Sequence, residues 1–268
     1  MPFTISHTAV VLPFTRLLVR WRMFSATVIG AMVPDFRLFF PGMERVETHA
    51  AVALLTFCLP VGLLTYWLFE RVMKTPILEV LPEGPYARWH PFAAEGDIRS
   101  LRQWLLAAIG VLAGALTHLV WDGFTHDGGR GVRMLPGLDE AIVNIGHRHI
   151  PAIYVLQDVG SVVGLAAVLA LLGYALRPGN QPSVPNRLIA RGERTEWIVL
   201  YVAATLAFSA AAYFWVRVGQ ASMHSIVGSA SDVAIASLRG LAAALLCVSL
   251  ALQLRLRALR YRSSGPER

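Results

Sequence analysis

Apolar residues run through this chain in long unbroken stretches, with polar residues gathered between them. Five windows, about 50–69, 103–121, 152–176, 196–216 and 234–254, approach or exceed the roughly 20 apolar residues a helix needs to cross a bilayer core. This pattern predicts an all-α fold, a polytopic membrane helix bundle with about five transmembrane helices. A sixth apolar stretch, "MFSATVIGAMVP" at 23–34, is too short to cross alone and ends on Pro34. Segments of that length are more often buried half-helices or re-entrant pieces. Residues 1–48 are therefore expected to form a helical or re-entrant N-terminal region packed on the bundle. Between the windows, 70–102 reads as an exposed Pro- and Gly-bearing connection, 122–150 as a polar, histidine-rich loop, and 177–194 as a basic loop.

Composition agrees with this pattern. Of 268 residues, 55% are hydrophobic and 15% charged, against about 25% charged in soluble domains. The net charge of +7 comes from arginines that flank the apolar runs. They read as topology control, and no nucleic acid partner is predicted. Cys58 and Cys247 fall inside apolar runs and form neither a disulfide framework nor a cysteine zinc site. The N-terminus lacks a basic start and carries Pro2, His7 and Pro13, so it is expected to stay on the mature protein. The arginine bias favours a cytoplasmic C-terminus, which puts the opposite loops on the outer face.

Candidate chemistry sits at one end of the second window, in "THLVWDGFTHDGG" (117–129). His118, Asp122 and His126 recur every four residues, so the first two project from one helix face. With five crossings, residues 1–48 and loop 122–150 lie on the same side. That parity gathers His7, Asp35 and His49 with His118, Asp122, His126, His147 and His149. Imidazole and carboxylate ligands hold divalent ions, zinc above all, and such sites often keep a position open for water. His126 lies roughly 12 Å from His118 along a continuous helix. One ion touching both therefore requires the helix to end early, or more than one ion to be present. Asp35 after Pro34 has a direction fixed by a helix start. The predicted metal ligands are His7, Asp35, His49, His118, Asp122 and His126, with Asp122 and Asp35 as catalytic candidates. Gln157, Asp158 and Ser161 begin the third window on the same side and are candidates for orienting the histidines or, equally, for helix–helix hydrogen bonds. His147, His149 and Arg130 are candidates for supporting the site or touching substrate. The expected organisation is a metal-site helical membrane domain over 1–176 and a two-span scaffold with basic loop and tail over 177–268, integrated in one bundle.

The motifs "MPFTISHTAVVLP", "GAMVPDF", "ETHA", "GALTHLVWDGFTH" and "YVLQDVGSVVG" resemble, in order, those of domain-of-unknown-function (DUF) family 4184, bacterial multi-pass membrane proteins. The resemblance covers approximately residues 1–175. The family's His/Asp pattern is similar to that of inner-membrane metal-dependent hydrolases and, more remotely, of all-helical zinc phospholipase C and P1-type nucleases. It implies His7, Asp35, His49, His118 and Asp122 as metal ligands and phosphoester or lipid hydrolysis as the activity. Asp158 stands where a histidine is expected. The expected function is thus a membrane-embedded hydrolase of a phosphoester or lipid-like substrate, using a divalent ion, in the bacterial cytoplasmic membrane. An ion- or proton-coupled transporter and a membrane protein with a structural metal site are the alternatives.

Overall fold

The computed structural model describes residues 4–40, 42–93, 98, 100–145, 148–176, 187–219 and 230–263. Among the described residues, five helices are long and apolar enough to cross a membrane: Leu54–Val80, Leu101–Thr125, Ala152–Tyr174, Arg191–Trp215 and Asp232–Tyr261. The most apolar window of Arg191–Trp215 has no buried residue, and Leu206, Phe214 and Trp215 stand on its outside. A surface that apolar calls for hydrocarbon around it. The protein is an all-α membrane helix bundle.

The chain opens with a 3-10 segment, Thr4–Phe14, then α1 (Thr15–Arg20), α2 (Phe24–Gly30), a 3-10 segment Val33–Phe39 and α3 (Arg45–His49). The first span joins a π-helical turn at Leu54–Cys58, α4 (Leu59–Leu68), a second π-helical turn at Phe69–Met73 and α5 (Lys74–Val80). There follow α6 (Glu83–Ala93), α7 (Leu101–Thr125), α8 (Arg130–Met134), the hairpin β1 (Ala141–Ile145) with β2 (Arg148–Pro151), α9 (Ala152–Leu176), α10 (Arg191–Gly219) and α11 (Ala230–Ser263).

Two expectations need correcting. Residues 70–102 are not a plain loop, because the first span runs on to Val80 and α6 follows. Lys74 Nζ donates to Glu70 Oε2 at 2.8 Å one turn away, with both side chains nearly buried. That pairing lets the two charges stay in a helix. Pro76 comes three residues after the π-helical turn Phe69–Met73, where the hydrogen-bond ladder of the helix already changes its spacing. Residues 122–150 likewise carry α8 and an antiparallel hairpin that pairs Asn144 with His149.

The chain divides into two compact units, Met1–Tyr66 with Asp97–Arg177, and Trp67–Gly96 with Pro178–Arg268. In the first, α2 lies directly against α7. A Cβ on Gly30 would collide with the Val111 carbonyl, and one on Gly114 with the Thr27 carbonyl. The glycines therefore let two backbones touch. Gly164 of α9 similarly admits the backbone of Ser6. In the second unit, Ile189, Leu252 and Leu256 form a buried core joined by Val80 and Trp197. There the Arg187 guanidinium stacks 3.8 Å from the Tyr86 ring and donates to the carbonyls of Glu79 and Leu81.

Candidate metal centre

Gly110, Gly114, His118 and Asp122 recur every four residues and so share one face of α7. The glycines draw α2 against that face, and the same stripe continues into the two polar side chains. The chain leaving α2 is thereby delivered to His118. Its Nδ1–H donates to the Ala31 carbonyl at 2.8 Å. A carbonyl only accepts, so the proton of neutral His118 sits on Nδ1 and Nε2 presents a bare lone pair.

Three further segments meet that lone pair. Asp35 lies in the first turn of Val33–Phe39, and its Oδ2 accepts from Thr4 Oγ1 at 2.8 Å. His49 ends α3, where Nδ1 meets Thr48 Oγ1 at 2.8 Å. The Thr48 hydroxyl reaches back towards the Arg45 carbonyl at 3.3 Å. His7, from Thr4–Phe14, stacks on His118 with ring centroids 3.8 Å apart and planes at 17°.

The donor atoms are spaced like the corners of a coordination polyhedron. His49 Nε2 lies 3.3 Å from Asp122 Oδ2 and 3.7 Å from Asp35 Oδ1. His118 Nε2 lies 3.5 Å and 3.7 Å from the same two oxygens. A tetrahedron with bonds of 2.0–2.2 Å has edges of about 3.3–3.6 Å. On the other carboxylate oxygen, Asp122 Oδ1, His7 Nε2 and His126 Nδ1 each approach to 3.6 Å. The Nε2 atoms of His7, His49 and His118 and the Oδ1 of Asp122 are buried without a hydrogen-bond partner among the described residues. Such orphans are expensive. Lone pairs turned on carboxylates could hold a cation between them, and this donor set suits a borderline-soft divalent ion such as zinc. The residues fit the group.

Burial, reinforced by the neighbouring His118, pushes the His7 pKa down to about 4 against the opposite pull of Asp122 and Asp35. His7 is therefore neutral at pH 7, ready to donate a lone pair. Burial also lowers His126, while Asp122 opposes the shift.

The puzzle over His126 has a simple answer. The helix ends at Thr125, and His126 is extended at φ −129° and ψ 146°. Its ring folds back to Asp122 instead of continuing up the helix axis.

Arg45 was missed as a site residue. Its guanidinium pairs with Asp122 Oδ2, and it sits one turn before His49 on α3. That i, i+4 relation to a candidate ligand was the available signal. Thr4, Thr48 and the Ala31 carbonyl were missed as well. They sit outside the His/Asp pattern.

The remaining candidates are placed less centrally. Gln157 and Ser161 are buried on α9, where Ser161 Oγ donates to the Gln157 carbonyl at 2.7 Å. Asp158 is exposed, and no ion pair among the described residues joins it to the cluster. His149 is exposed and meets Asn144 Oδ1 at 2.6 Å within the hairpin. His147 lies outside the described residues. Arg130 lines a cleft of about 690 Å³ that reaches His49, Asp122 and His126.

No curated protein and no solved structure matches the chain. Residues 1–250 match the family model described as domain of unknown function DUF4184, which takes in all five motifs and most of the last span. The chain belongs to the DUF4184 family.

Proposed function

We propose that this protein is a metal-dependent hydrolase that acts on a phosphoester or lipid-like substrate at the membrane surface. The observation that carries the reading is the set of buried, unpartnered Nε2 atoms of His7, His49 and His118 around Asp35 and Asp122. A divalent ion held there, zinc by the donor set, would polarise a phosphoryl oxygen and acidify water. Asp122 and Asp35 supply the carboxylates. Asp122 turns one oxygen towards His7 and His126 and the other towards His49 and His118. Asp35 has one oxygen tied to Thr4 and the other free to hold an ion or take a proton.

A purely structural ion is the weaker reading, because structural sites are closed and the cleft reaches Asp122, His49 and His126. An ion-coupled carrier calls for its ion ligands at mid-span, whereas Asp122 lies near the end of the second span and His49 before the start of the first. The arginine bias favours a C-terminus on the cytoplasmic side and the centre on the outer face, and the family resemblance points to a bacterial cytoplasmic membrane.

The test is turnover by the purified full chain in detergent. Phosphodiester, phosphomonoester and phospholipid substrates are offered with zinc, with chelator, and after zinc is restored. Hydrolysis that chelator abolishes, zinc restores and Asp35→Ala lowers at least ~100-fold is the expected result. Absence of turnover by the metal-loaded protein on all three classes contradicts it.

A further inference from the structure

The cleft beside the centre has two chemically different ends. Arg45, Arg130 and Arg133 line it together with Asp122 and Asp127. Arg45 is committed to Asp122, and the Asp127 carboxylate accepts the Tyr154 hydroxyl at 2.7 Å. Arg130 and Arg133 are one turn apart on α8, both exposed, and have no ion-pair partner among the described residues. Two exposed arginines are thus left lining a space that also touches the candidate ligands, an arrangement suited to gripping an oxyanion.

The other wall is apolar. Leu54 opens the first span, while Leu116, Leu119 and Val120 lie near the end of the second at i, i+3 and i+4 spacing. Leu116 and Val120 are 52% and 53% exposed, on the outside of a helix that crosses the bilayer, so the wall is continuous with what surrounds the span. From Asp122 back to Leu116 it covers about 9 Å along the helix, room for the first methylenes of an acyl chain. A water-soluble phosphoester has no use for that wall. An anionic lipid does, because its phosphate lies at the depth where the spans end.

We infer that the cleft takes a membrane lipid bearing a phosphoester headgroup, entering sideways from the bilayer. Arg130 and Arg133 hold the phosphate, and the Leu116–Val120 wall takes the start of the chain. The inference deepens the hydrolase reading and rests on it for which end of the lipid faces Asp122.

Binding of dilauroyl phosphatidic acid to the full-length protein in detergent tests it, beside glycerol 3-phosphate and inorganic phosphate as chain-free probes. Metal content is measured in the same samples. Saturable lipid binding is expected to weaken about 10- to 100-fold in Arg130→Ala/Arg133→Ala at unchanged metal content, as for one or two lost charge-assisted contacts. Leu116→Trp is expected to weaken the lipid and leave glycerol 3-phosphate unaffected. Equal affinity for lipid and glycerol 3-phosphate, or lipid binding that neither variant changes, overturns the inference. Metal without lipid binding removes this inference and leaves the hydrolase reading standing. Arginine-dependent lipid binding by a protein that takes up no metal does the reverse.

Discussion

His7 and His118 lie face to face, ring centroids 3.8 Å apart, although one comes from the chain's first helical turns and the other from the second span. Two imidazoles stack this closely at low cost only if they are not both charged. Their Nε2 atoms are buried and unpartnered beside carboxylates. At least one of the two therefore presents a lone pair, as a metal ligand must.

His118 fixes the centre to the fold. In His118→Ala the Ala31 carbonyl loses its donor and a buried ring is deleted, so stability should fall by about 2–4 kcal/mol and metal uptake should be lost. His149→Ala is the control, since that exposed side chain meets Asn144 of its own hairpin and joins no candidate ligand among the described residues. It should shift stability by no more than about 0.5 kcal/mol and leave metal content unchanged. Thermal melts with elemental analysis of both variants check this.

Arg45 neutralises a buried carboxylate when no ion does so. Arg45→Ala should lower the melting temperature of chelated protein, corresponding to about 1–3 kcal/mol for an uncompensated buried charge. With zinc present the difference from wild type should shrink. A deficit that zinc leaves unchanged would mean Arg45 acts apart from the centre.

The folded-state pKa of His7 is about 4, below the ordinary 6.5. The unfolded chain then binds more protons between those values, so stability rises with pH across that window. Equivalently, the contribution is fully present above about pH 6.5 and is lost as pH falls towards about 4. Melts of chelated protein from pH 4 to 8 should show that slope, and His7→Gln should flatten it.

Gly114→Ala drives a methyl group into the Thr27 carbonyl and to within 2.6 Å of the Ala31 nitrogen. Neither backbone atom can step aside without moving α2. A loss of about 1–3 kcal/mol from overpacking should come with weaker metal binding, because the displaced segment carries the Ala31 carbonyl that orients His118. Titration of zinc into the variant reads the second effect separately from the first.

Much of this side-chain cluster was legible before folding, for a topological reason. Two crossings return the chain to its starting side, so His7, Asp35 and His49 had to share a face with the end of the second span. Arg45 escaped because arginines at span ends already had an explanation in membrane topology. The continuation of the first span past residue 69 was hidden by Glu70, Lys74 and Pro76, residues that read as loop until the first two are seen paired one turn apart. For His126, the sequence left an early helix end and multiple ions as alternatives. Only backbone angles showed the helix stopping one residue before it.

The most direct measurement is metal stoichiometry. Full-length protein purified in detergent after growth with zinc, then freed of loosely bound ions, should carry at least one divalent ion per chain by elemental analysis. The His118→Ala/Asp122→Ala variant should carry almost none. Equal, negligible metal in both would contradict the account at its root.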